Sequence, residues 1–349
     1  MVKDNFSGAY KNKRVLITGH TGFKGSWLAL WLESIGAEVF GLSLDQQELS
    51  HFNLLDLNID HRIGNVDDFD LFKNILMEVR PEIVFHLAAQ PLVRESYNNP
   101  IDTWKTNILG SANLLEIARE IDELKSIVMV TSDKCYKNIE SNYSYAEDDV
   151  LGGLDPYSAS KACTEILISS FKHSFFKNTN KLIASARAGN VIGGGDFSLD
   201  RIIPDIFRAV STDKELKIRY PQAIRPWQHV LDCNYGYLLL GKHLLEGNSS
   251  FATSFNFGPF KESEISVEIL LEKISALWPE LAWSLDQNDN PHEATLLSLN
   301  HSKAVNELKW RPNLNIDQSI SLTADWYSDF INYRNVNSIQ QLIDYSTKI

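Results

Sequence analysis

Short apolar runs recur through the first half of the chain: Val15-Leu16-Ile17, Val39-Phe40-Gly41-Leu42, Ile83-Val84-Phe85, Ile127-Val128-Met129-Val130 and Leu182-Ile183-Ala184. Helical patterns alternate with them. After the first run, Leu28, Trp31, Leu32 and Ile35 recur at offsets of three and four, which gathers apolar side chains on one helical face. The alternation predicts repeated βαβ units, a parallel sheet and that helical face packed on it. Beyond about Arg187 the pattern loosens. Gly193-Gly194-Gly195, Pro204, Pro221, Pro226 and Pro259 punctuate shorter amphipathic pieces, a region suited to covering a substrate. No repeat, low-complexity tract or flexible linker divides the chain. The expected organisation is a main domain over 1–187, joined by returning segments at about 226–257, and a second part over 188–349 interleaved with it.

Composition narrows the class. A chain of 349 residues, 44% hydrophobic and 22% charged, can bury a substantial core and has neither a disordered nor a fibrous balance. Cys135, Cys163 and Cys233 are odd in number and lack C-x-x-C spacing, which points to a reducing cytoplasm and to no metal site. No signal-like apolar core follows Met1, and no later run reaches about 18 uninterrupted apolar residues, so neither export nor a membrane span is expected. A formal charge of -12 argues against non-specific nucleic-acid binding. It leaves room for a small anionic substrate, because single arginines hold phosphates through paired hydrogen bonds.

The first strand runs straight into Thr18-Gly19-His20-Thr21-Gly22-Phe23-Lys24-Gly25 and then into the helix. Glycines at 19, 22 and 25 suit a tight strand-to-helix turn, and the helix N-terminus offers N–H groups to a pyrophosphate. Asp45, twenty residues beyond Gly25, can accept hydrogen bonds from adenosine ribose hydroxyls and would repel the extra phosphate of NADP, so NAD is the expected cofactor. Tyr157-Ser158-Ala159-Ser160-Lys161 puts a phenol and an ammonium on one helical face. There the ammonium and an oxidised nicotinamide would support the phenolate as a base.

TGxxGxxG at 18–25, His86-Leu87-Ala88-Ala89-Gln90, Asn107, Thr131-Ser132-Asp133 and YSASK at 157–161 follow in order over at least residues 14–235. Together they resemble the extended short-chain dehydrogenase/reductase family. The resemblance implies an α/β fold, with a Rossmann-type doubly wound parallel sheet of about seven strands and a smaller mixed α/β C-terminal substrate domain. It assigns Gly19, Thr21, Gly22, Phe23, Lys24, Gly25, Asp45, Asn65, Val66, Leu87, Ala88, Ala89, Asn107, Tyr157 and Lys161 to NAD. The family often has Asp where this chain has Asn65.

Family members that are nucleotide-sugar 4,6-dehydratases usually carry Thr-Asp-Glu where this chain reads Ser132-Asp133-Lys134. That lysine, with Gln90-Pro91-Leu92-Val93-Arg94, Asp148–Gly153 and Arg225-Pro226-Trp227-Gln228-His229-Val230, resembles the branch acting on CDP-glucose. The implied chemistry has Tyr157 take the 4-hydroxyl proton as C4 is oxidised. Lys134, or a water it holds, then removes the C5 proton, and Asp133 protonates the departing 6-hydroxyl, with Ser132 in the same catalytic set. Gln90, Arg94, Arg187, Asn190, Arg201, Arg225 and His229 become candidates for the nucleotide sugar. The resemblance also implies a homodimer or a pair of dimers through helices near 100–118 and 157–173, where Trp104, Ile108, Leu115 and Ile166 supply apolar surface. A nucleotide-sugar epimerase and a non-catalytic dinucleotide-binding regulator are the alternatives; Asp133-Lys134 weighs against the first and Tyr157 with Lys161 against the second.

Overall fold

Seven parallel strands make the centre of the computed structural model, which describes residues 1–45, 49–288 and 296–349. They are β1 (Arg14–Thr18), β2 (Glu38–Ser43), β3 (Asp60–Ile63), β4 (Ile83–His86), β5 (Ser126–Val130), β6 (Leu182–Ala188) and β7 (Ser254–Phe257). Their order is β7-β6-β5-β4-β1-β2-β3. Side chains alternate across the sheet: Val15 and Ile17 enter one apolar layer, and Leu16 enters the other with Val84, Ile127 and Ile183. Covered on both faces, the inner strands read as continuous apolar runs.

The five expected strands are present, and two more complete the sheet. β3 reads Asp60-His61-Arg62-Ile63 and pairs with β2 from Phe40↔Asp60 to Ser43↔Ile63. As an edge strand, mostly exposed, it needs no apolar pattern. β7 returns from beyond the loosened region to pair with β6.

The helix α1 (Phe23–Ser34) buries Leu28, Trp31 and Leu32 as expected, but it also buries Trp27, Ala29 and Leu30. Trp27 stacks on His51 with ring centres 5.0 Å apart, and Trp31 meets Tyr345 edge-on at 5.7 Å. α1 is therefore covered on all sides, and the single apolar face read from the sequence understates its burial. α2 (Pro156–Phe171) and α3 (Val230–Leu245) pack near β5 and β6.

The remaining chain forms small sheets. Glu264–Ser266, Ile224–His229 and Asn190–Ile192 make one, and Leu216–Ile218 pairs in parallel with Trp283–Leu285 in another. With the helix Ile202–Ser211, these elements face the carboxyl ends of β1, β4 and β5 across a large cavity. Among the described residues no helix is long and apolar enough to cross a membrane, and no cluster of His, Cys, Asp and Glu could hold a metal.

Candidate active site

The cavity has a volume of about 770 Å³ and opens where the strand order reverses, the place at which doubly wound sheets bind ligands. At its β1 end Gly19 has φ +75°, and a Cβ there would stand 2.8 Å from the Ala88 nitrogen. A Cβ on Gly25 would stand 2.1 Å from the Gly19 oxygen. No other residue fits either position. Gly22 caps α1 without a side chain, and Gly22, Phe23, Lys24 and Gly25 line the cavity. The positive end of α1 thus offers backbone N–H groups to an anion, which fits the pyrophosphate of a dinucleotide. Asn65, Val66, Leu87, Ala88 and Ala89 line the same cavity.

Two expected cofactor residues do not line the cavity. The Thr21 hydroxyl is buried and donates to Ser43 Oγ at 2.6 Å. Asp45 is exposed just beyond the end of β2, and Ser43 and Leu44, not Asp45, form the cavity wall there.

Asn107 and Gln90 also stay off the wall, for a structural reason. Asn107 occupies a π-helical turn, Lys105–Leu109. The wider turn redirects its carbonyl, which accepts from Ser111 Oγ at 2.7 Å and from Thr164 Oγ1 at 3.0 Å. Its side chain accepts from Gln90 N at 2.8 Å and donates to Ser160 Oγ at 2.8 Å. The Gln90 amide in turn donates to Leu92 O and Thr103 Oγ1. These residues pin the segment after β4 to α2 and leave the ligand surface to their neighbours.

α2 starts where its sequence dictates: Asp155 accepts from Ser158 N at 2.9 Å as N-cap, and Pro156 occupies the first turn. Tyr157 and Lys161 follow one turn apart, and both reach the cavity. Burial pushes the Tyr157 phenol up to about 12, opposed by a hydrogen bond with Ser132 and reinforced by the Asp133 charge. Burial, then the nearby Lys24 charge, brings the Lys161 ammonium down to about 8, while Glu165 opposes the shift. Lys161 Nζ lies 3.5 Å from Val130 O. At Tyr157 burial thus outweighs the Ser132 hydrogen bond and the Arg201 charge, which favour the phenolate. A cationic ring beside Tyr157 is what the site requires to lower that phenol, and an oxidised nicotinamide meets the requirement.

Immediately after β5, Asp133–Cys135 form one 3₁₀ turn. Ser132 Oγ donates to Asp133 Oδ1 at 2.9 Å and accepts from Lys134 N at 3.2 Å. Asp133 is 2% exposed, and its Oδ2 is buried with no hydrogen-bond partner among the described residues. Asp133 borders the cavity, while this oxygen is itself shielded from it. Lys134 is half-buried and lines the same wall.

Asn190, Arg201 and Arg225 line the opposite region, Arg201 paired with Asp196 at 3.0 Å. Arg94 is half-exposed and bonds Asp200 at 2.9 Å. Asp196, Asp200, Arg219 and Tyr220 line the cavity without having been anticipated, since the stretch between Gly195 and Ala223 carries no motif.

Two assignments are overturned. Arg187 points into the protein, where Nη2 meets Glu165 Oε2 at 2.7 Å and Nη1 donates to Tyr136 Oη at 2.7 Å and Glu147 O at 2.9 Å. His229 is fully buried, and its Nδ1 accepts from Leu231 N at 3.3 Å to cap α3. Of its motif, Arg225 and Trp227, two apart on one strand, reach the cavity.

A family model described as GDP-mannose 4,6 dehydratase matches residues 16–323. The CDP-glucose 4,6-dehydratase of Salmonella typhimurium is 44% identical over 340 residues, covering 95% of this chain and 94% of that protein. The epimerase Mth375 of Methanothermobacter thermautotrophicus is a structural neighbour with a TM-score of 0.83 at 25% identity, covering 98% of this chain and 97% of the other. The dTDP-glucose 4,6-dehydratase of Bacillus anthracis, solved with NAD, shares the fold with a TM-score of 0.75 at 20% identity, covering 94% and 99%. A match from β1 into the C-terminal helices takes in the glycine turn, the Ser132-Asp133-Lys134 turn and the Tyr157/Lys161 helix together, and on that span the chain belongs to the GDP-mannose 4,6 dehydratase family.

Proposed function

We propose that the protein dehydrates CDP-glucose to CDP-4-keto-6-deoxyglucose with NAD as a resident cofactor. One observation carries this reading: Asp133, Lys134, Tyr157 and Lys161 line one cavity with the glycine cradle. An epimerase needs the last two groups but not an acid and a base for eliminating water.

Gly19, Gly22 and Gly25 with the N-terminus of α1 would hold NAD, which would supply hydride acceptance at C4 of the sugar and hydride return at C6. Tyr157 takes the proton of the 4-hydroxyl, with Lys161 one turn along to stabilise the phenolate. The 4-ketone acidifies the C5 proton, which passes to Lys134 or to a water that it holds. Asp133, protonated, donates to the departing 6-hydroxyl, and water leaves.

The glycine-cradle half, completed by β7, would hold the dinucleotide, and the small sheets beyond residue 188 would hold the nucleotide sugar. Asn190, Arg201 and Arg225, with Arg94 at the solvent side, suit a diphosphate. The 44% identical Salmonella typhimurium relative supports CDP-glucose as the substrate, and the Bacillus anthracis complex supports NAD. Three unpaired cysteines suit a reducing cytoplasm. Exposed Ile101 (65%), Leu109 (46%) and Ile166 (58%) support a homodimer through these helices, whereas Leu115 is a core residue.

The test incubates the protein with the CDP-, dTDP-, GDP- and UDP-glucoses in heavy water. The expected product has lost one water and carries solvent deuterium at C5. Lys134→Ala should keep cofactor binding and lose elimination. A product of unchanged mass would make the protein an epimerase instead.

A further inference from the structure

Behind the reacting face of α2 lies a charged pair that the chemistry above does not use. Glu165 stands one turn past Lys161 and two past Tyr157; its side chain is 2% exposed and that of Arg187 4%. Glu165 Oε2 accepts from Arg187 Nη2 at 2.7 Å, Ser185 Oγ at 2.8 Å and Ser254 Oγ at 3.3 Å. Its Oε1 accepts from Thr131 Oγ1. One carboxylate thus ties α2 to residues at the ends of β5 and β7 and within β6. Thr131 directly precedes Ser132-Asp133-Lys134, and its backbone N–H donates to Ala186 O at 2.9 Å.

We propose that Glu165, anchored by Arg187, is a positioning residue that holds the turn bearing Asp133 and Lys134 in register with the helix bearing Tyr157 and Lys161. This rests on the dehydratase reading. Dehydration presents C4 to one wall of the cavity and C5 and C6 to another, without release of the sugar between steps. The two walls must therefore keep a fixed separation. A buried ion pair is costly to desolvate, and apolar side chains would join helix and sheet equally well. What they would not supply is a directed bond to the Thr131 hydroxyl. Arg187 has no ligand role here: it holds the carboxylate while Tyr136 Oη and Glu147 O hold its own guanidinium.

Thr131→Val removes the link at nearly constant volume, and Thr131→Ser keeps it. A misplacement of about 1 Å costs up to about a hundredfold in rate. Thr131→Val should therefore slow elimination by about tenfold or more while C4 oxidation and the KM for CDP-glucose hold, because the misplaced groups are those of the second wall. Enzyme-bound reduced cofactor then accumulates at steady state, which a mere loss of folded protein would not produce. Amide hydrogen exchange over residues 131–136 should quicken in the same variant without substrate, and Thr131→Ser should restore both readouts.

An unchanged reduced-cofactor fraction, equal slowing of both steps, unaltered exchange, failure of Thr131→Ser to rescue, or a Thr131→Val chain that does not fold would each overturn the proposal. No dehydrated product from the unsubstituted protein would instead contradict the functional reading, and the exchange measurement still decides whether the anchor exists.

Discussion

Tyr157 is buried with its hydroxyl in a wall that also carries Ser132 and Asp133, so its chemistry depends on what is placed beside it. Tyr157→Phe leaves shape and packing in place and removes the proton acceptor. A fall of roughly 10²–10⁴-fold in single-turnover cofactor reduction is expected, with substrate and NAD affinities retained; undiminished reduction would remove Tyr157 from the mechanism. Lys161 gives a stability prediction with a definite sign. Its folded value of about 8 lies below the roughly 10.4 of an unfolded lysine, so below 8 the fold carries the cost of a buried charge. Between the two values the unfolded chain binds more protons, and stability rises with pH. Lys161→Met should thus be the more stable protein near neutrality, its advantage shrinking as pH climbs through that window in urea titrations. At this scale the sequence was enough to bring Tyr157, Lys161, Asp133 and Lys134 to one cavity. It did not reveal Arg187 as an internal partner, because an arginine's letter is the same whether it meets Glu165 or a phosphate.

The β1 turn shows what one element fixes for its neighbours. Gly25 lies so close to the Gly19 oxygen that a methyl group there must displace the turn or tilt α1. Gly25→Ala is expected to cost about 1–3 kcal/mol of stability, the usual penalty of overpacking. Because the same displacement moves the N–H groups of the cradle, calorimetric titration should show NAD affinity lowered about tenfold or more, the effect of roughly 1.4 kcal/mol. Retained affinity would separate the glycine turn from dinucleotide binding. This element was legible because its glycines, strand and helix are contiguous. The π-turn at Lys105–Leu109 was not: nothing in Lys-Thr-Asn-Ile-Leu announces a widened turn, which is maintained by Ser111 and Thr164 bonding the Asn107 carbonyl. β3 escaped for the opposite reason, since an edge strand is held by its backbone and leaves no periodic signature.

Across the whole molecule, periodicity sufficed for the α/β class and for five of the sheet's strands, because those strands are buried on both faces. It could not show how late segments return: β7 joins β6 along a backbone ladder, and the C-terminal helices pack Trp326, Tyr327, Phe330, Leu342 and Tyr345 into the core, pairings between stretches far apart in the chain. Buried histidines add side-chain joints between elements, one of them to a C-terminal helix. His51 bridges Ser26 of α1 and Ser338 near the C-terminus, at 2.7 and 2.8 Å. His86 joins Thr18 and Ser111, His20 meets His61 at 2.7 Å, and His229 caps α3. Burial lowers all four of His20, His51, His86 and His229 to about 3. Unfolded histidine titrates near 6.5, so their contribution is complete above that pH and is lost progressively toward 3. Each removes about 1.4 kcal/mol per pH unit in the middle of the range. Asp232 acts the other way: burial raises its carboxyl to about 6, so the folded state takes up that proton first and offsets about one histidine. Because these four imidazoles outnumber that carboxyl, stability should fall as pH drops from about 6.5 toward 4, the unfolded chain binding more protons than the folded one. Urea midpoints measured across that interval give the proton difference directly from their slope, and a flat profile would mean that these imidazoles are not buried as neutral rings.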